Sequence, residues 1–203
     1  MDNYKKIGTI KTIFIIITAI SLAIFVLKKE DLLIIIILIL IFLLYFMRDP
    51  ERDIADGIVS PADGIVTDLR IDKDGAYISI FMNIHNVHIN RAPISCTVIQ
   101  MKHMDGTHYP AYGDWSNNER MIYKLFNKEK NIELEITEIA GIVARRIIPF
   151  INTGQNITKG ERIGMILFGS RVNLIVKHTS IKWCVDVGDT VMAGSSKIAE
   201  FKF

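Results

Sequence analysis

The chain has 203 residues, a formal net charge of +2 and a hydrophobic content of 50%. That is enough for one core of ordinary size plus an appendage, and the charge balance is too even for a nucleic-acid partner. Two cysteines without a CxxC, Cys96 and Cys184, exclude a disulfide scaffold and a cysteine zinc site, and read as ordinary buried residues.

The N-terminal quarter is membrane-like. Residues 12–27 and 32–47 form two uncharged runs of 16 residues each, separated only by Lys28-Lys29-Glu30-Asp31. Such a run rises roughly 24 Å as a helix, short of a hydrocarbon core of about 30 Å. Lys11, Lys28, Lys29 and Arg48 can snorkel toward headgroups, and Ile7 to Ile10 can extend the first helix. Nearly every position is apolar, so no core of this size would enclose both runs. Charges follow the first run where a signal peptide would have a small-residue cleavage site. The expectation is a membrane helical hairpin over residues 1–50, spanning about 7–27 and 32–47. Lys5, Lys6, Lys11, Arg48 and Arg52 flank its outer ends, which favours a cell-membrane protein with its second domain on the cytoplasmic face.

Residues 51–203 read as a mostly β domain, a β-rich α+β fold of short strands. Strand-like runs fall at Ile58-Val59, Ile65 to Ile71, Tyr77 to Ile84, Arg120 to Phe126 and Ile132 to Ile139. Asp63-Gly64, Asp72-Lys73-Asp74-Gly75 and Asn127-Lys128-Glu129-Lys130 punctuate them as turns. "NIELEITEIA" alternates with period two, the pattern of a strand with one buried face. Residues 114–119 read as a loop. "VDVGDTVMAGSSKIAEF" has the hairpin grammar of lipoyl or barrel-sandwich folds, and "NTGQNITKGERIGMI" echoes it. The C-terminal tip offers no lysine at Thr190 to Met192, so it is no lipoyl or biotin carrier.

Three stretches could carry chemistry. "VSPADGIV" holds Asp63, and by itself reads as a turn. "FMNIHNVHINRAP" holds His85 and His88. On a strand those two side chains would point to opposite faces, which argues against a metal pair and for one histidine acting as a base. "ILFGSRVNL" sets Gly169-Ser170-Arg171 between two strand-like runs. Glycine leaves its carbonyl open to approach and serine supplies a hydroxyl, so the bond suits an intramolecular acyl shift given a nearby base. Gly-Ser is also an ordinary turn, and spacing does not bring Asp63, His88 and Ser170 together.

Taken in order, "SPADG", "FMNIHNVHINRAP", "NER", "IAGIVARRI" and "GERIGMILFGSRVNL" give the chain its resemblance to the short branch of the phosphatidylserine decarboxylase proenzymes. These are self-cleaving, pyruvoyl-dependent membrane enzymes. The resemblance implies that Ser170 attacks the Gly169 carbonyl, with His88 as base oriented by Asp63. The chain would split between 169 and 170 into a larger β chain and a smaller α chain, which stay together as a heterodimer open to further assembly. Residue 170 would become a pyruvoyl group, the only cofactor. That group would form a Schiff base with a serine phospholipid, and His88, with a pKa near neutrality, would also donate the proton that follows loss of carbon dioxide. No metal is implied. Aligned on "NVHINRAP", the first histidine of the longer branch's His-x-x-His pair falls on His88 and the second on Arg91. His85 lies upstream of that register and joins Arg145, Arg146 and Arg171 as possible holders of the lipid phosphate or carboxylate. The isoleucine- and lysine-rich composition suits an AT-rich archaeal genome, where ether-linked archaetidylserine would be the substrate. Two rivals explain less. A membrane-tethered adaptor accounts for residues 185–201 alone, and a LytM-type zinc endopeptidase lacks the C-terminal His-x-His it needs.

Overall fold

The computed structural model describes residues 16, 20–21, 29–107, 115–141, 146–167 and 170–202. They fall into two units, divided between Tyr45 and Phe46. The first contributes most of helix α1 (Lys29–Phe46). Its run from Leu32 is built of helix-tolerant leucines and of isoleucines, whose side chains from Leu33 to Tyr45 are exposed. Lys29, Glu30 and Asp31 lie inside its first turn, and among the described residues no helix is long and apolar enough to cross a membrane. The second predicted span, 32–47, coincides with this helix. The first, 7–27, lies almost wholly outside the described residues.

The second unit carries fourteen strands among its described residues. They are β1 (Ile58–Val59), β2 (Gly64–Asp72), β3 (Gly75–Met82), β4 (Ile89–Arg91), β5 (Cys96–Met104), β6 (Arg120–Asn127) and β7 (Ile132–Ala140), followed by β8 (Ile147–Pro149), β9 (Asn156–Ile157), β10 (Arg162–Ile166), β11 (Ser170–Val176), β12 (Ile181–Trp183), β13 (Thr190–Val191) and β14 (Lys197–Phe201). An eight-stranded sheet runs β13-β2-β3-β11-β7-β6-β5-β9, and two three-stranded sheets run β1-β14-β12 and β4-β10-β8. Register shifts at Val66/Asp68 and Val98/Gln100 bend β2 and β5. The mostly β reading therefore stands, with its turns where Asp-Gly and Asn-Lys placed them.

Period two explains the core. In β7, Ile132, Leu134, Ile136, Glu138 and Ala140 share one buried face. Ile78, Ile80 and Met82 of β3 and Val172, Leu174 and Val176 of β11 continue that face and pack with Ile163, Ile166 and Ile198. Each such side chain, fully buried, contributes roughly 1.5–3 kcal/mol.

The glycine-punctuated segments are not self-contained hairpins. β13 pairs with β2, whereas β14 pairs with β1 and β12. Likewise β9 joins β5 while β10 joins β4 and β8. Strands of two residues make too few ladder bonds to close a hairpin alone, so they serve as ties between distant parts of the chain.

Candidate active site

Three loops meet at the "SPADG" turn. Ser60 N donates to Ser196 O at 2.8 Å, Gly194 N to Ser60 O at 2.9 Å, and Arg91 N to Pro61 O at 2.9 Å. The turn is thus clamped between "RAP" and "AGSS", and Gly64 is needed because a Cβ there would lie 2.2 Å from Phe81 O. These contacts fix Asp63, which is buried. Its Oδ1 accepts from Ala193 N at 2.8 Å, and Arg52 Nη2 reaches Oδ1 at 3.2 Å and Oδ2 at 2.9 Å.

His88 is fully buried just before β4. Its carbonyl accepts from Ile166 N at 3.1 Å, so the histidine extends the β4–β10 ladder toward the connection that ends at Ser170. Nδ1 lies 2.9 Å from Asn86 O. A carbonyl only accepts, so Nδ1 carries the proton and Nε2 holds the lone pair. That Nε2 is buried and has no hydrogen-bond partner among the described residues. The Phe46 ring lies over the imidazole with centroids 4.4 Å apart. Burial pulls the His88 pKa down to about 4, the Asn86 contact opposes the fall, Arg48 adds to it, and the field of Asp63 opposes it.

The pKa differs from the near-neutral value read from the motif. The reason is the dry wall of Phe46, Val87, Ile89 and Met165, with Leu167 packed against it. No hydrogen bond joins Asp63 to His88 among the described residues; the Asn86 carbonyl orients the ring instead.

Ser170 opens β11, its backbone opposite Met82 of β3 and Ala140 of β7; its side chain lies outside the description. Gly169 and Arg145 lie outside the described residues. The connection leading to them is held at Leu167, whose N donates to Arg146 O at 3.2 Å.

The remaining predicted residues are dispersed. His85 is exposed, and its carbonyl accepts from Arg48 Nη2 at 2.6 Å. Arg146 is exposed. Arg171 is buried, and its Nη1 donates to Thr67 Oγ1 at 2.6 Å and Ser79 Oγ at 2.5 Å, contacts internal to the fold.

Sequence reasoning missed a buried polar cluster beside the site. Asn90 Nδ2 donates to Glu138 Oε1 at 2.8 Å, and the Tyr123 hydroxyl donates to Glu138 Oε2 at 2.9 Å. Burial lifts the Glu138 pKa to about 7 although both hydrogen bonds pull it down. Tyr123 is pushed up, by burial and then by the Glu138 charge. Gly164 makes room, since a Cβ there would lie 2.8 Å from Glu138 Oε1 and 2.9 Å from the Tyr123 hydroxyl. The available signal was a glutamate on the apolar face of "NIELEITEIA". Arg52, Phe46 and Asn86 gave no comparable signal.

Among proteins of known family, the profile described as phosphatidylserine decarboxylase matches residues 39–199. A phosphatidylserine decarboxylase proenzyme of Streptomyces griseus is 45% identical over 159 residues, covering 77% of this chain and 73% of its own. A protein of Methanococcoides burtonii, provisionally named archaetidylserine decarboxylase proenzyme, is 42% identical over 164 residues, covering 79% and 76%. One of the same provisional name from Halobacterium salinarum is 37% identical, covering 77% and 80%.

Proposed function

The chain belongs to the phosphatidylserine decarboxylase family, and on that premise we propose how its own residues do the work. It is a decarboxylase made as a proenzyme, and it converts a serine-headgroup phospholipid to the ethanolamine phospholipid. In the proposed self-processing, the Ser170 hydroxyl attacks the Gly169 carbonyl while His88 Nε2 takes its proton. The amide becomes an ester and frees the amine of residue 170. Loss of the Cα proton of residue 170 then breaks the Cβ–O bond and releases a fragment ending at Gly169. One water hydrolyses the remaining enamine, ammonia leaves, and a pyruvoyl group stays at the new N-terminus.

The observation that carries this reading is the buried Nε2 of His88, without a hydrogen-bond partner among the described residues, on the ladder that runs toward Ser170. A ring with its proton fixed on Nδ1 and a pKa of about 4 is neutral at pH 7, hence ready to accept. Asp63 acts on it through its field, which favours the imidazolium that forms. The pyruvoyl group would stand at the start of β11, where Ser170 pairs with Met82 and Ala140, and would supply an electron sink for the bond to the departing carboxylate. During decarboxylation the roles of the chain are to exclude water, with Phe46 and its apolar neighbours, and to return a proton from His88.

The fragments stay paired in this reading. β11, from the smaller fragment, lies between β3 and β7 of the larger one, and β13 and β14 pair with β2 and β1. The exposed apolar side chains of α1 support its placement in a membrane, within a hairpin over residues 1–50, and the lysines and arginines at the outer ends favour the catalytic domain on the cytoplasmic face. Accessibility of single cysteines placed in the 28–31 connection, probed with an impermeant reagent on whole cells, tests that orientation.

The decisive test of the mechanism is mass spectrometry of the purified protein. Two fragments split between Gly169 and Ser170 are expected, the smaller carrying a pyruvoyl terminus, with neither cleavage nor decarboxylation in Ser170→Ala. An intact chain that decarboxylates phosphatidylserine would overturn it.

A further inference from the structure

The segment that follows α1 touches each part of the site in turn. Phe46 is buried against the His88 ring. Arg48 holds the His85 carbonyl. Asp49 accepts from Arg91 Nη2 at 3.0 Å and pairs with Arg162, and Pro50 O accepts from Arg91 Nη2 at 3.2 Å. Arg52 then meets Asp63, with both side chains about nine-tenths buried. Ala55 N closes the run on Gly194 O at 3.0 Å, next to the Ala193 N that also binds Asp63.

We propose that Arg52 is a positioning residue of the self-cleaving centre, acting through Asp63, and that the buried side chains of Phe46 and Arg52 wall that centre, so that the stretch after the helix is more than a passive link. The inference rests on the reading of Asp63 and His88 given above. Two donors fix the Asp63 carboxylate. The Ala193 N–H engages Oδ1 alone, and Arg52 spans both oxygens, so Arg52 sets the rotation of the carboxylate plane. It also places a positive charge 2.9 Å from a buried carboxylate. Asp63 acts on His88 through space, so its direction and charge determine how well it favours the imidazolium. Both contacts come from Nη2, so a lysine in place of Arg52 would keep the charge but would have to bring it to the buried carboxylate on a shorter, more strongly hydrated side chain.

The experiment follows the intact precursor to its two fragments in a cell-free translation supplied with phospholipid vesicles, using the full chain. Arg52→Ala is expected to slow splitting at least tenfold, Arg52→Lys to recover part of the rate, and millimolar guanidinium to speed Arg52→Ala but not wild type. Glu51→Gln is the control. It loosens only the exposed Arg162 contact, 3.3 Å long, and is expected to split at the wild-type rate. Parallel melting curves in a Ser170→Ala background report folding, which guanidinium at that level would not improve. Splitting of Arg52→Ala within twofold of wild type overturns the inference, as does slow splitting that tracks the unfolded fraction and ignores guanidinium. If wild type also stays intact, the parent reading falls and takes this one with it.

Discussion

Replacing Glu138 by glutamine is expected to change how the stability of the precursor depends on pH. In the fold Glu138 titrates at about 7, and unfolded it returns to the ordinary carboxylate value of 4.5. The folded state therefore holds an extra proton between those values, and this contribution is present below pH 4.5 and lost as pH rises through 7. His88 works in the opposite sense. Its pKa falls from 6.5 to about 4, so its contribution is present above pH 6.5 and lost as pH falls through 4. Each shift of about 2.5 units corresponds to about 3 kcal/mol at 1.36 kcal/mol per unit. Between pH 4.5 and 6.5 the two slopes cancel, one proton held more and one held less. Glu138→Gln removes one of them. Glutamine keeps the shape, accepts from Asn90 and, with the hydroxyl rotated, donates to Tyr123. The assay is urea unfolding of the full chain in detergent, in a Ser170→Ala background that keeps one covalent species, from pH 4.5 to 7.5. The stability of Glu138→Gln minus that of its parent should rise by about 3 kcal/mol across this range, about 1.4 kcal/mol per pH unit. The difference removes other carboxylates common to both chains. A difference curve flat to within about 0.5 kcal/mol would refute the assignment of a protonated Glu138.

Three further outcomes are expected. Phe46→Ala should cost about 3–5 kcal/mol, from cavity formation, and hydration should lift His88 toward its ordinary value, moving the acid limb of the self-cleavage rate to higher pH; a lost side chain with no change in the pH profile would disconnect Phe46 from the base. Gly164→Ala forces a methyl to 2.8 Å from Glu138 Oε1 and should lower stability by about 1–3 kcal/mol in chemical unfolding, whereas a neutral result would mean that the Glu138–Tyr123 cluster yields. His88→Ala should slow self-cleavage by about 10²-fold or more while His85→Ala stays within about twofold, measured as fragment appearance; the reverse ranking would move the base to His85.

Much of the fold was legible because the strands alternate. "NIELEITEIA" announces β7 by itself, and Asp72-Lys73-Asp74-Gly75 announces the β2–β3 turn. The C-terminal segment misled for a physical reason. Val187-Gly188-Asp189-Thr190-Val191 has hairpin turn chemistry, but turn residues fix only the local reversal, and β13 and β14 go to different sheets. What binds them there is backbone pairing with distant strands, which no local pattern encodes. The site divides in the same way. Asp63, His88 and Ser170 could be named from motifs, and His88 does sit on the ladder leading toward Ser170. Arg52, Phe46 and Ala193 could not, because they act through tertiary contacts, only 11 residues apart for Arg52 with Asp63 but 130 for Ala193 with Asp63, that no local pattern encodes. Ala193 contributes only a backbone N–H, for which side-chain identity carries no signal.

The weak basicity of His88 is consistent with a reaction each molecule performs once. A multiple-turnover base is best tuned near the working pH, where driving force and the population of the right form balance. The surroundings here favour the neutral form instead. The Asn86 carbonyl holds the tautomer without adding a full negative charge, and Asp63 bonds to Arg52 and Ala193 rather than to the ring. A neutral ring against Phe46 and Met165 needs no counter-ion in the uncleaved fold, which spares the precursor a buried charge. The cost is a slower proton transfer, tolerable in the single self-processing event proposed above. On the proposed mechanism, cleavage would also end the covalent tie from β10 to β11 and loosen the apolar wall to which Met165 of β10 contributes. The ring would then titrate closer to neutrality in the mature enzyme than in the precursor. Nuclear magnetic resonance of the His88 imidazole before and after processing tests this step, and an unchanged titration near pH 4 in both forms would rule it out.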